Sequence, residues 1–111
     1  MATKQIICDT DVIIDYLDRV NLRQANTKAI LEEKIGLDSI CISAITKMEL
    51  VCGAINKIEL AKINKSIDRF NVIPIDHSIT NKAISLIQTY ALSHGMALPD
   101  SFIAATVIIS D

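Results

Sequence analysis

The sequence predicts an α/β sandwich built on a mostly parallel sheet. Three observations carry that reading. Short β-branched runs recur at the start ("QIICD"), near residue 40 ("DSICISAI") and near residue 72 ("NVIPI"). The segments between them carry apolar residues at helical rather than alternating spacing. Strands that alternate with helices in this way bury a parallel sheet beneath helical layers. At 111 residues the chain has the length of one small domain, spanning 1–111.

Taken in order, "QIICD" is a buried strand that ends on a charge. "DVIIDYLDRV" follows with Val12, Ile13, Leu17 and Val20 close to helical spacing. A second helix, "NLRQANTKAILEEK", sets Leu22, Ala25, Ala29 and Ile30 on one side, and Gly36 suits a left-handed cap at its end. The second strand lies around residues 39–42. From Ala44 the pattern is helical again, with Ile45, Met48, Val51, Cys52 and Ile55 on one stripe. Gly53 within this stretch marks a point of close packing.

"IELAKINKSIDRF" places Leu60, Ile63, Ile67 and Phe70 on a helix face, with Glu59, Lys62, Lys65 and Asp68 turned away. In the third strand, Pro74 suits an end or an edge. Asp76 or Ser78 then caps a helix carrying Ile79, Ala83, Leu86, Ile87, Tyr90 and His94, which Gly95 ends. "LPDSFIAATVIIS" has proline in its first turn and is apolar nearly all round, so a buried helix is expected.

Composition narrows the function. Lys and Arg total 11 against 13 Asp and Glu, a formal charge of -2. A broad basic face is excluded, so contact with nucleic acid has to be local or helped by a metal ion. No stretch reaches the roughly 18 apolar residues of a membrane helix, and no apolar signal segment opens the chain. A cytoplasmic protein is the expectation. Of the three cysteines, none forms a C-x-x-C pair; Cys8 and Cys41 sit in apolar runs and read as core residues.

The acids carry the chemical signal. Asp9, Asp11 and Asp15 crowd the end of the first strand. In parallel α/β sheets ligands bind beyond the carboxyl ends of the strands. Asp9 lies at such an end, Asp100 in the first turn of the final helix, and Glu49 on the border of its helix's apolar stripe. Converging carboxylates repel unless a cation lies between them, and hard oxygen ligands suit Mg²⁺ or Mn²⁺. Each acid has a plainer reading as well. Asp11 suits a helix cap, Asp100 is favoured by the helix dipole, and Glu49 reads equally as a solvated helix residue. Asp15 and Asp18 read as a solvated face. His77 and His94 have no partner pattern. There is no Gly-rich phosphate loop and no G-x-S-x-G.

Three segments in order, "IICDTDVIIDYL", "ISAITKMELVCGA" and "LPDSFIAAT", resemble the PIN domain, and within it the small VapC-like toxins of type II toxin–antitoxin pairs. The resemblance runs through the whole chain. It implies a three-layer α/β/α sandwich and a metal-dependent endoribonuclease that hydrolyses RNA phosphodiester bonds. Asp9, Glu49 and Asp100 would form the catalytic, metal-holding centre for Mg²⁺ or Mn²⁺. Thr10 and Thr46 match hydroxyl positions near it and would touch the substrate. The implied partners are RNA, a cognate antitoxin and a second copy of the chain. Asp11 departs from the family, which more often has asparagine there. Lys47, Lys57 and Arg23 are candidates for guiding the RNA backbone. The family continues past the last helix into another strand and a fourth acidic or polar site residue, so the chain is expected to be C-terminally incomplete, its first strand left as an open edge, and less stable and less active than an extended version.

Two other readings stand beside this one. "CDTDVII" also resembles the D-x-D motif of haloacid dehalogenase-like phosphatases, which would form an aspartyl phosphate on Asp9, but no later acidic pair is visible. A receiver-like phosphoacceptor domain clusters acids similarly, without support around "NVIPID". Within the PIN reading, an inert member that only binds an antitoxin is the alternative to an enzyme.

Overall fold

The computed structural model describes residues 6–17 and 24–110. Strand β1 (Ile6–Ile7) leads into helix α1 (Thr10–Leu17). Helix α2 (Gln24–Ala29) widens into a π-type turn over Ile30–Ile35, followed by a tight turn at Leu37–Ser39 and strand β2 (Ile40–Ser43). Helices α3 (Ala44–Cys52) and α4 (Lys57–Ile67) precede strand β3 (Asn71–Ile73). Helices α5 (His77–His94) and α6 (Leu98–Ser110) complete the described chain.

All pairing is parallel, in the order β1-β2-β3. Ile6 pairs with Ile40 and Ile7 with Cys41; Cys41, Ile42 and Ser43 pair with Asn71, Val72 and Ile73. β2 is buried at every position because it is the central strand. Its alternation sorts the core. Ile40 and Ile42 face a cluster with Cys8, Ile13, Leu31, Leu50, Ile67 and Phe70. Cys41 and Ser43 are buried on the other side, and α6 packs on β2. Helices thus cover both faces, as a three-layer arrangement requires. Cys8 and Cys41 are buried free thiols, as expected of core residues, while Cys52 is exposed. No helix among the described residues is long and apolar enough to cross a membrane.

The caps follow elementary rules. Asp76 accepts from the Ile79 N–H at 2.8 Å and starts α5; Gly95, at φ 62°, ends it in the left-handed basin. Asn56 caps α4 through the Glu59 N–H. Gly36 also has positive φ, but at φ 88° and ψ 129° it is not a left-handed helix cap. It closes the π-type turn by donating to the Leu31 carbonyl.

Three expectations about buried faces need correction. In the second helix the buried residue is Leu31, while Ile30 is 45% exposed, because the wide turn shifts the face presented to the core. Leu22 and Val20 lie outside the described residues. In α3 the buried positions are Thr46 and Leu50; Met48 and Cys52 are exposed, and Ile55 lies past the helix end and is exposed as well. Here a polar side chain faces inward because it finds partners there. In α6 the buried residues are Ser101, Ala105 and Thr106, whereas Leu98, Val107, Ile108 and Ile109 are exposed. Small side chains let α6 approach α5 and β2, and both hydroxyls are satisfied by carbonyls of the same helix (Leu98 and Phe102).

Candidate active site

The carboxyl end of β1 and the start of α3 build the site. Asp9 follows the strand and caps α1: its Oδ1 accepts from the Val12 N–H at 3.0 Å, and its carbonyl accepts from the Ile13 N–H. The plain cap reading and the site reading therefore meet in one residue. It is Asp9, rather than Asp11, that caps this helix. Thr10, the next residue, donates its hydroxyl to Glu49 Oε1 at 2.8 Å across 39 positions of sequence. Its oxygen also lies 3.1 Å from the Thr46 hydroxyl. Ser43, the last residue of β2, caps α3 by accepting from the Thr46 N–H and lies 3.2 Å from the Thr46 hydroxyl.

Asp9, Asp11, Glu49 and Asp100 line one cavity of about 650 Å³ together with Thr10. Ile7, Ile14, Ile103, Ala104 and Val107 form its aliphatic wall. Asp100 reaches it from the first turn of α6. All four acids are exposed. No group of three His, Cys, Asp or Glu side chains among the described residues stands ready-made for a metal ion. The acids share a cavity without sharing a coordination sphere. Beneath the rim, burial pushes the Cys8 thiol above the usual thiol range, with the neighbouring Asp9 charge and then Cys41 adding to the effect.

Asp9, Glu49, Asp100 and Thr10 line the cavity. Thr46, expected to touch the substrate, is fully buried, and its hydroxyl reaches the site through Thr10. Lys47 and Lys57 are exposed, on α3 and at the start of α4, and Arg23 lies outside the described residues. Two components were missed. The aliphatic wall leaves no local trace, since its members come from β1, α1 and α6. Ser43 did leave one: a serine between a strand and a helix, three residues before a threonine, is a capping signal.

A parallel α/β sandwich with an acid-lined cavity at the carboxyl end of its first strand places a candidate site where parallel α/β proteins bind ligands. The PIN domain profile matches residues 6–111, and the chain belongs to the PIN domain family. Among solved structures it is similar to a toxin–antitoxin complex from Klebsiella pneumoniae, at 28% identity and a TM-score of 0.73. That match covers 96% of this chain and 80% of the other. It is also similar to FitAcB from Neisseria gonorrhoeae, at 29% identity and a TM-score of 0.68, covering 94% of this chain and 81% of the other. No match was found among curated proteins.

Proposed function

We propose that the chain is the toxin of a type II toxin–antitoxin pair and acts as a metal-dependent endoribonuclease. The observation that carries this is the meeting of Asp9, Glu49 and Asp100, from three distant segments, on one open cavity. Membership of the PIN family and likeness to a toxin–antitoxin complex support it.

The donor set fits a hard divalent cation: carboxylate oxygens are the ligands Mg²⁺ and Mn²⁺ prefer. Asp9 and Glu49 each use one oxygen in the hydrogen bonds above, and a carboxylate has two. Asp9 and Glu49 would hold the ion through their remaining oxygens, and exposed Asp100 would join them by rotamer change. A bound ion lowers the pKa of its water and shields the charge that develops on phosphate. The protein's own residues hold Asp9 by its cap, hold Glu49 through Thr10, and close one side of the cavity with aliphatic side chains. An acidic cavity repels an RNA backbone, so exposed Lys47 on α3 and Lys57 on α4 are the candidates to guide it.

An antitoxin and a second copy of the chain are the proposed partners. Apolar residues left exposed, among them Ile55 between α3 and α4 and Ile58, Leu92 and Leu98 on helices, give such partners surface to cover. The test is cleavage of RNA by the purified chain. Mn²⁺-dependent cleavage that disappears in Asp9→Asn supports the enzyme. Antitoxin binding with no cleavage by the unaltered chain would leave the inert binding module.

A further inference from the structure

We infer that Thr46 and Ser43 are positioning residues, which fix the Glu49 carboxylate through a one-way chain of hydroxyl groups. The inference rests on the proposed function in taking Glu49 to be a metal ligand. Four side chains are linked in series: Ser43, Thr46, Thr10 and Glu49, at 3.2, 3.1 and 2.8 Å. Each hydroxyl has a single hydrogen to donate, and a carboxylate has none. Thr10 spends its hydrogen on Glu49, so its contact with Thr46 has to be filled by the hydrogen of Thr46. The hydrogen between Ser43 and Thr46 then has to come from Ser43. Ser43 in turn accepts from the Thr46 backbone N–H at 3.0 Å. The carboxylate therefore sets the direction of every bond back to the end of β2.

Burial makes the arrangement stiff. Thr46 is 0% exposed and Ser43 1%, so neither can exchange its partner for water. No buried side-chain N or O among the described residues lacks a partner. Ser43 is anchored by the central strand and Thr46 by the first turn of α3. Glu49 lies one turn further along the same helix as Thr46, yet no direct bond joins them; Thr10, from α1, bridges the two. An exposed glutamate is thereby tied to the central strand of the sheet. A ligand carboxylate held in this way loses fewer rotamers when it meets a cation.

The test uses the full chain with Thr46→Val, which keeps the shape and removes the hydroxyl, and Thr46→Ser, which restores it. Two readouts separate positioning from mere structure. The first is the side-chain carboxyl ¹³C signal of Glu49 in metal-free protein. It should move in Thr46→Val toward its position in Thr10→Val and stay at the wild-type position in Thr46→Ser. The second is Mn²⁺ titration by calorimetry, in which Thr46→Val should weaken binding about 10-fold, the lower end of the effect of outer-sphere partners, with Thr46→Ser near wild type. A Glu49 signal that moves in Thr10→Val but stays put in a folded Thr46→Val overturns the inference. If the wild type takes up no Mn²⁺, the metal-nuclease reading fails, and the Glu49 signal alone decides on positioning. Should Thr46→Val not fold, Ser43→Ala removes the first donor of the chain and takes its place, with the same two outcomes.

Discussion

Asp9 and Asp76 sit in the same local design at opposite edges of the sheet. Each follows a parallel edge strand, and each starts a helix. Asp9 accepts from the Val12 N–H at 3.0 Å, Asp76 from the Ile79 N–H at 2.8 Å. The carbonyl of each accepts the next N–H, from Ile13 and Thr80. What separates them lies far away in sequence. Beside Asp9, Thr10 reaches Thr46 and Glu49, 36 and 39 positions on, and Glu49 and Asp100 share its cavity. Beside Asp76 the bonds stay local: the Thr80 hydroxyl returns to the Asp76 carbonyl, and Asn81 contacts His77. A capped helix start is thus compatible with either role, and the long-range neighbours mark the candidate site.

The sharpest way to break this comparison is to treat the two aspartates alike. Asp9→Asn and Asp76→Asn both keep a capping oxygen, so both chains should fold. Mn²⁺-dependent RNA cleavage should fall at least about 100-fold in Asp9→Asn, beyond the usual effect of outer-sphere partners, because a proposed direct ligand is lost. In Asp76→Asn it should stay within about twofold, as expected for a change remote from the site. Equal losses in the two variants would mean that the first aspartate is only a cap.

The same contrast shows how much the sequence discloses. Local rules located the three strands to within a residue or two, and side-chain type alone narrowed the cap of α5 to Asp76 or Ser78 and placed its stop at Gly95. Asp9, which lines the cavity, was conspicuous too, because it is a charge at the end of an apolar run; Glu49 and Asp100 lie on helices and were singled out by their place beside apolar faces. What escaped were features settled by partners distant in the chain. Thr46 breaks the apolar stripe expected of α3, yet it is buried while Met48 is exposed, since Ser43 and Thr10 satisfy its hydroxyl. In α6 the inward face is Ser101, Ala105 and Thr106, not the large aliphatics. Periodicity ranks residues by hydrophobicity and has no means of knowing where two backbones approach closely.

Stability offers the next, smaller test. Replacing an N-cap aspartate by alanine costs about 1 kcal/mol where nothing else changes. Asp76→Ala should lose about that much in urea unfolding at neutral pH. Asp9→Ala should lose less, because removing its charge also relieves repulsion from Asp11 and Glu49 on the same cavity. The order reverses if the acids lie too far apart to feel one another. An Asp9→Ala loss equal to or above that of Asp76→Ala would therefore deny the electrostatic difference between the two helix starts.

The smallest effect is expected one position further along. Asp11 stands in the first turn of α1 where α5 has Ser78, two residues beyond the cap in each case. Its carboxylate lines the cavity but is exposed, and the structure gives it no hydrogen bond to the hydroxyl chain. In Asp11→Asn the helix dipole loses a favourable charge while the cavity loses a repulsive one, so stability should change by under about 0.5 kcal/mol. Cation affinity responds differently, because the field of a nearby carboxylate attracts an ion even without touching it. Mn²⁺ binding should weaken about two- to threefold at low ionic strength, and the difference should fade at about 1 M salt, where screening acts over about 3 Å. Ser78→Asn should leave that affinity unchanged under both conditions. A loss in Asp11→Asn that exceeds about tenfold and survives high salt would make Asp11 a direct ligand, and the acidic centre would then have four members on this cavity rather than three.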